Sequence, residues 1–204
     1  MPGARENPLR LGVLVSGTGS NLQAILDAVA TGSLAAQVTV VISNRPGVQA
    51  LERARGAGVS ALTIPHKDFP SREAFDRALV AALREANVEW IVLAGFMRVL
   101  TPEFLDAYAG RIINIHPALL PSFPGVDAAK QALAYGVKVT GCTVHFVELG
   151  VDQGKIIAQR AVPVEAEDDV ATLNARIHAA EHELLVSVLR DIAAGRVVPL
   201  VSGV

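Results

Sequence analysis

A single cysteine, Cys142, stands among 204 residues, which excludes an internal disulfide framework and fits a reducing compartment. No apolar run approaches the roughly 20 residues a membrane-spanning helix needs, so no membrane partner is expected. The formal net charge is only −2, and Lys and Arg are spread along the chain without clustering. That distribution offers no electrostatic footprint for nucleic acid or a membrane surface. Residues 1–10 carry charges but no apolar signal core and read as a leader to the first strand. Internal repeats, low-complexity tracts and linkers are absent as well. What is present is a chain that is 51% hydrophobic, enough for one well-covered core over residues 1–204. These features describe a cytoplasmic, soluble, single-domain protein. An anionic small substrate stays open, because backbone amides bind anions without Lys or Arg.

Apolar, β-branched runs alternate with helical patterns along the first half. Strands are expected over 11–15, 38–42, 61–64, 90–96 and 111–115. Helices are expected over 21–29, 48–57, 71–84 and from 101 to about 109. Ser71 is placed as an N-cap, and Pro102 occupies the favoured first position of its helix. Such alternation implies a parallel sheet covered on both faces, joined by right-handed crossovers. After Pro124-Gly125 the pattern changes to a helix over 127–135, a hairpin-like pair over 139–148 and 155–164, and a long helix over 168–194. The expected fold is α/β, with a Rossmann-like, mostly parallel twisted sheet and a mixed, antiparallel C-terminal part.

Two stretches carry chemistry. Ser16-Gly17-Thr18-Gly19-Ser20-Asn21 lies between the first strand and first helix, where small residues let backbone amides converge at a helix N-terminus. It lacks the Gly-Lys-Ser/Thr of a nucleotide-triphosphate loop. It also has Leu22 where a dinucleotide fingerprint wants a third glycine, and the second strand ends in Ser43-Asn44-Arg45 without a ribose-binding acid. A single phosphate group suits it better than either, the alternative being a tight turn that binds nothing. The second stretch, Asn114-Ile115-His116-Pro117, ends a strand and runs into a loop stiffened by Pro121 and Pro124. Strand residues i and i+2 share a face, so Asn114 and His116 project into one space. Asp152, in a loop leaving the strand that carries His145, adds a carboxylate able to orient an imidazole. Amide, imidazole and carboxylate together could stabilise an oxyanion and move a proton. The alternative is a set of satisfied polar groups at a strand end. Cys142 reads as a buried strand residue rather than a nucleophile. His178-Ala179-Ala180-Glu181-His182 matches the inverted zinc-peptidase pattern, but little chain follows in which to find a third ligand. No metal is expected.

Three separated pieces stand in order: Ser16-Gly17-Thr18-Gly19-Ser20-Asn21-Leu22-Gln23, Leu93-Ala94-Gly95-Phe96-Met97-Arg98-Val99-Leu100 and Asn114-Ile115-His116-Pro117-Ala118-Leu119-Leu120-Pro121. With Val144-His145-Phe146 and Val151-Asp152-Gln153-Gly154 they resemble the phosphoribosylglycinamide formyltransferases, folate-dependent enzymes of purine synthesis, over about residues 11–195. The resemblance implies a phosphate-binding half over about 10–110 and a catalytic and folate half over about 111–195. It implies that Gly19, Ser20 and Asn21 hold the substrate phosphate and that Glu181 binds ribose hydroxyls. Met97, Arg98, Val99 and Leu100, with Glu148, Leu149, Gly150, Val151 and Asp152, would line the folate pocket. Arg72 would meet the folate's glutamate tail. Asn114, His116 and Asp152 would be catalytic, with His145 in support. The co-substrate would be 10-formyltetrahydrofolate, the acceptor 5-phosphoribosylglycinamide, and the assembly a monomer or homodimer. Asp127 and Lys155 depart from some members of that family. Methionyl-tRNA formyltransferases share the Asn-x-His-Pro signature but add a C-terminal nucleic-acid-binding domain, and formyltetrahydrofolate hydrolases add an N-terminal regulatory one. A nucleotide-binding regulatory or redox module would account for the sheet and glycine turn but would leave Asn114, His116 and Asp152 without work.

Overall fold

A computed structural model describes residues 7–200. Residues 1–6 of the expected leader lie outside the described residues, and Leu9 and Arg10 already belong to the first strand, β1 (Leu9–Val15). The chain continues through α1 (Ser20–Ala30), β2 (Ala36–Ser43), α2 (Gln49–Gly56), β3 (Ser60–Thr63), α3 (Arg72–Glu85), β4 (Trp90–Leu93), α4 (Pro102–Ala107) and β5 (Ile112–His116). It closes with α5 (Ala128–Tyr135), β6 (Val139–Phe146), β7 (Ile156–Pro163) and α6 (Val170–Ala193). The strands form one sheet in the order β3-β2-β1-β4-β5-β6-β7. Neighbours from β3 to β5 pair in parallel, and β6 and β7 are antiparallel. This is the Rossmann-like sheet with an antiparallel C-terminal part that the alternation implies.

Period-2 alternation divides each central strand between two cores. Leu11, Val13 and Val15 of β1 pack on the α1 and α6 side with Leu22, Leu51 and Leu185. Leu14 packs on the opposite side with Phe75, Leu79 and Phe104 from α3 and α4. Gly12 sits where a Cβ would come within 2.6 Å of Leu83 Cδ2, so its lack of a side chain lets α3 close on the sheet. The helix starts follow local chemistry. Ser71 accepts from the Ala74 amide (3.1 Å) and Thr101 from the Phe104 amide (3.4 Å). Asp169 and Thr172 form a reciprocal cap on α6.

Two features differ from the sequence reading. β4 stops at Leu93 rather than running to residue 96, because Gly95 takes φ +75° and turns the chain out of the sheet. A single 3-10 turn at His66–Asp68 was not expected. Among the described residues no helix is long and apolar enough to cross a membrane.

Candidate active site

From β1 the chain steps to β2 and β3 on one side, then returns to place β4 on the other. Crossovers diverge at such a switch point and leave a crevice beyond the carboxyl ends of the strands. A cleft of about 670 Å³ lies there, lined by the turn after β1, the segment after β4, the end of β5 and the β6–β7 loop.

The glycine turn forms one end. Gly19 adopts φ +74°, and a Cβ on it would meet the Ala50 Cβ at 2.6 Å, so conformation and packing both require glycine. The first helical bond of α1 runs from the Gln23 amide to the Gly19 carbonyl (2.9 Å). The earlier amides of that turn have no helical acceptor, and no side chain caps them. Such an end favours an anion. Arg53 Nε donates to the Thr18 carbonyl (2.9 Å) and holds the turn from α2. Beside it, Asn21 donates to Glu181 (3.1 Å), whose carboxyl is almost fully buried. Burial pushes that carboxyl up to about 7, against a smaller opposing effect of the Asn21 bond. The Asn21 Oδ1 is buried without a partner.

The polar cluster lies at the end of β5. Asn114 and His116 share a strand face, and the antiparallel register sets His145 of β6 directly opposite Asn114. His145 donates its Nδ1–H to the Phe146 carbonyl (2.8 Å), leaving Nε2 to accept from Asn114 Nδ2 (3.1 Å). Burial holds the His145 pKa below the usual histidine value, in keeping with this neutral, accepting tautomer. Asp152 enters from the β6–β7 loop at φ +51°, a left-handed conformation that Asp tolerates. Its Oδ2 lies 3.2 Å from His116 Nδ1 and accepts from the Gly125 amide (2.6 Å). Its Oδ1 accepts from Asn114 at a long 3.4 Å. Both carboxyl oxygens therefore act as acceptors. His116 Nε2 donates to the Phe123 carbonyl (2.8 Å). Each His116 nitrogen thus faces an acceptor, an arrangement satisfied by the imidazolium. The proline loop is pinned beneath: Thr143 Oγ1 donates to the Ala118 carbonyl and accepts from the Leu120 amide.

The third region is apolar. Met97, Arg98, Val99 and Leu100 line the cleft with Glu148, Gly150 and Val151, and Met97, Val99 and Val151 are exposed at its mouth. Arg72 and Leu149 do not line it. Arg72 instead donates to the Val99 carbonyl (3.2 Å) and braces the segment from outside. Of the departures noted, Asp127 lines the cleft and Lys155 is exposed away from it. His178 faces the cleft one turn from Glu181 on α6, but among the described residues no three His, Cys, Asp or Glu side chains gather as a metal cluster. Cys142 is fully buried in β6, and burial with the nearby Glu181 charge raises its thiol to about 12. Sequence reasoning missed the Phe123 carbonyl and Gly125 amide, since backbone groups leave no residue-type signal.

The chain matches the formyl transferase family over residues 9–189, most of its length, and belongs to that family. Within it, the chain is 49% identical over 186 residues to a phosphoribosylglycinamide formyltransferase from Mycobacterium tuberculosis, covering 91% of this chain and 86% of the relative. The crystal structure of glycinamide ribonucleotide transformylase 1 from Symbiobacterium toebii superposes with a TM-score of 0.92 at 51% identity, covering 94% of this chain and 91% of that one. The trifunctional purine biosynthetic protein adenosine-3 of Drosophila melanogaster is 54% identical over 175 residues, 85% of this chain. The chain spans only 13% of that longer protein.

Proposed function

We propose that the protein transfers the formyl group of 10-formyltetrahydrofolate to the amine of 5-phosphoribosylglycinamide, in purine synthesis, with residues 7–200 acting as one domain. The observation that carries this reading is the cluster of Asn114, His116 and Asp152 between an anion-suited helix end and an apolar mouth. Gly19, Ser20 and Asn21 hold the phosphate, and Glu181 accepts from the ribose hydroxyls. Met97, Arg98, Val99 and Leu100, with the 148–152 loop, hold the folate.

The glycinamide amine attacks the formyl carbon, forming a C–N bond and a tetrahedral oxyanion. The long Asn114–Asp152 contact marks an amide hydrogen that is weakly held and free to turn to this oxygen. His116 supplies the second donor when the formyl oxygen replaces the Phe123 carbonyl at Nε2. Neutral His145, as an acceptor, fixes which side of the Asn114 amide faces the reaction. Asp152 keeps the imidazolium in place and accepts the amine proton, directly or through water. Collapse breaks the bond to the folate N10, which takes up a proton and leaves as tetrahydrofolate.

The test mixes the protein with 10-formyltetrahydrofolate and either glycinamide ribonucleotide or charged initiator tRNA, and follows release of tetrahydrofolate. Release that requires glycinamide ribonucleotide and yields its formylated product is expected, and it survives exhaustive chelation. Release without an acceptor would indicate a hydrolase, and release with tRNA alone would refute the assignment.

A further inference from the structure

A buried polar chain that the proposed chemistry does not use runs between the two halves of the cleft. Ser16 directly follows β1, immediately before Gly17, and it is only 3% exposed. Its hydroxyl donates to Asn44 Oδ1 at 2.6 Å, at the end of β2, and accepts from the Met97 amide at 2.9 Å. Asn44, itself 2% exposed, contacts His66 Nδ1 in the 3-10 turn through its Nδ2 (3.2 Å) and its carbonyl (3.3 Å). A hydroxyl has one hydrogen to give, so donation to Asn44 leaves its lone pairs aimed at Met97. The Ser16 backbone therefore opens the glycine turn while its side chain grips the first residue of the apolar segment.

The 97–101 segment is otherwise held from the α3 side. Arg72 donates to the Val99 carbonyl (3.2 Å), and Asp76 accepts from the Thr101 amide (2.7 Å). Those two contacts secure the middle and end of the segment. Ser16 alone among these groups secures its start, and it does so from the strand that carries the turn. We infer that Ser16, oriented by Asn44, is a positioning residue that fixes the folate-binding segment in register with the phosphate-binding turn. This inference rests on the folate reading given above.

Truncating Ser16 leaves the Met97 amide and Asn44 Oδ1 without this partner, while Arg72 and Asp76 still hold the segment to the fold. Loss of a part-buried neutral hydrogen bond corresponds to a change of about tenfold in an equilibrium. Ser16→Ala is therefore expected to raise KM for 10-formyltetrahydrofolate about tenfold, with KM for glycinamide ribonucleotide within about twofold. Exchange of the Met97 amide with solvent deuterium should accelerate by about the same factor. Asn44→Ala should reproduce both effects, because the Ser16 hydroxyl loses the acceptor that orients it. Asn44→Asp, which keeps that acceptor, should restore folate KM to within about twofold of the parent. The Asn44 pair carries the test if Ser16→Ala fails to fold. Unchanged folate KM and unchanged Met97 exchange in an active Ser16→Ala enzyme would overturn the inference and leave the proposed activity standing. A parallel rise in both KM values would also overturn it, as a general loosening of the fold. A parent protein without formyl transfer would refute the activity instead, and Met97 exchange alone would then decide whether the joint exists.

Discussion

Replacing Glu181 by Gln should make the protein more stable above neutral pH, and the gain should vanish in acid. Glu181 is 3% exposed, accepts one hydrogen bond from Asn21 and has no cationic partner among the described residues. Burial dominates that single bond and lifts its pKa from the ordinary 4.5 to about 7. The unfolded chain releases this proton near 4.5, whereas the folded chain keeps it until about 7. Between those values the native state binds more protons, so this group's contribution to stability falls as pH rises through the window. The full gap amounts to about 3 kcal/mol above pH 7 and close to nothing below pH 4.5.

Glutamine is neutral at every pH and keeps an oxygen for Asn21. The stability difference between the variant and the parent should therefore grow by about 2–3 kcal/mol between pH 5 and pH 8. Urea unfolding of both proteins at several pH values measures that difference directly, and other titrating groups cancel. A gap that does not change with pH would refute the argument that the carboxyl is desolvated. A ribose hydroxyl needs a carboxylate to donate to most strongly, so the same variant should raise KM for the ribonucleotide. That loss would show why so costly a group is kept.

Other perturbations reach different parts of the molecule. His116→Ala should lower turnover by a factor of order 10²–10³, since an oxyanion donor contributes about 3–4 kcal/mol, and Asp152→Asn by roughly 10²–10⁴, since it removes the proton acceptor; steady-state kinetics showing near-normal turnover would remove these residues from the mechanism. Gly154→Ala should destabilise by roughly 1–3 kcal/mol, because φ there is +124° and the added Cβ would overlap the Phe146 carbonyl. Its turnover should fall further than its melting temperature implies, through displacement of Asp152 two residues away. Leu79→Ala empties a fully buried site on the α3 side of the sheet and should cost roughly 2–5 kcal/mol by chemical denaturation. KM values should be unchanged at temperatures where that variant is folded.

How much of this was legible beforehand depended on whether the signal lay in residue type or in backbone shape. Alternation of β-branched runs with helical periods located every strand to within a few residues, because burial on both faces demands continuous apolar sequence. The Ser71 and Thr101–Pro102 starts were readable because capping is local chemistry. The apolar run through Ala94, Gly95 and Phe96 predicts a longer β4 than the chain forms, since nothing in composition announces a glycine at φ +75°. The brief turn at His66–Asp68 carries no periodic signal at all.

The cluster itself shows the same division. Asn114 and His116 could be placed on one face from their spacing, but that Asp152 reaches them depends on a loop that returns across β6 through Gly150, Asp152 and Gly154, each at positive φ. The antiparallel register, which no spacing encodes, then sets His145 opposite Asn114. A neutral histidine there is more than filler. Were His145 charged, its Nε2–H would face the Asn114 amide hydrogens, and the amide would turn its oxygen inward, toward the position proposed for the oxyanion. Burial that keeps His145 neutral thus keeps Asn114 presenting donors, and through them it tunes a residue it does not itself replace. The proposed chemistry therefore depends on a buried imidazole whose accepting tautomer is set by its bond to the Phe146 carbonyl.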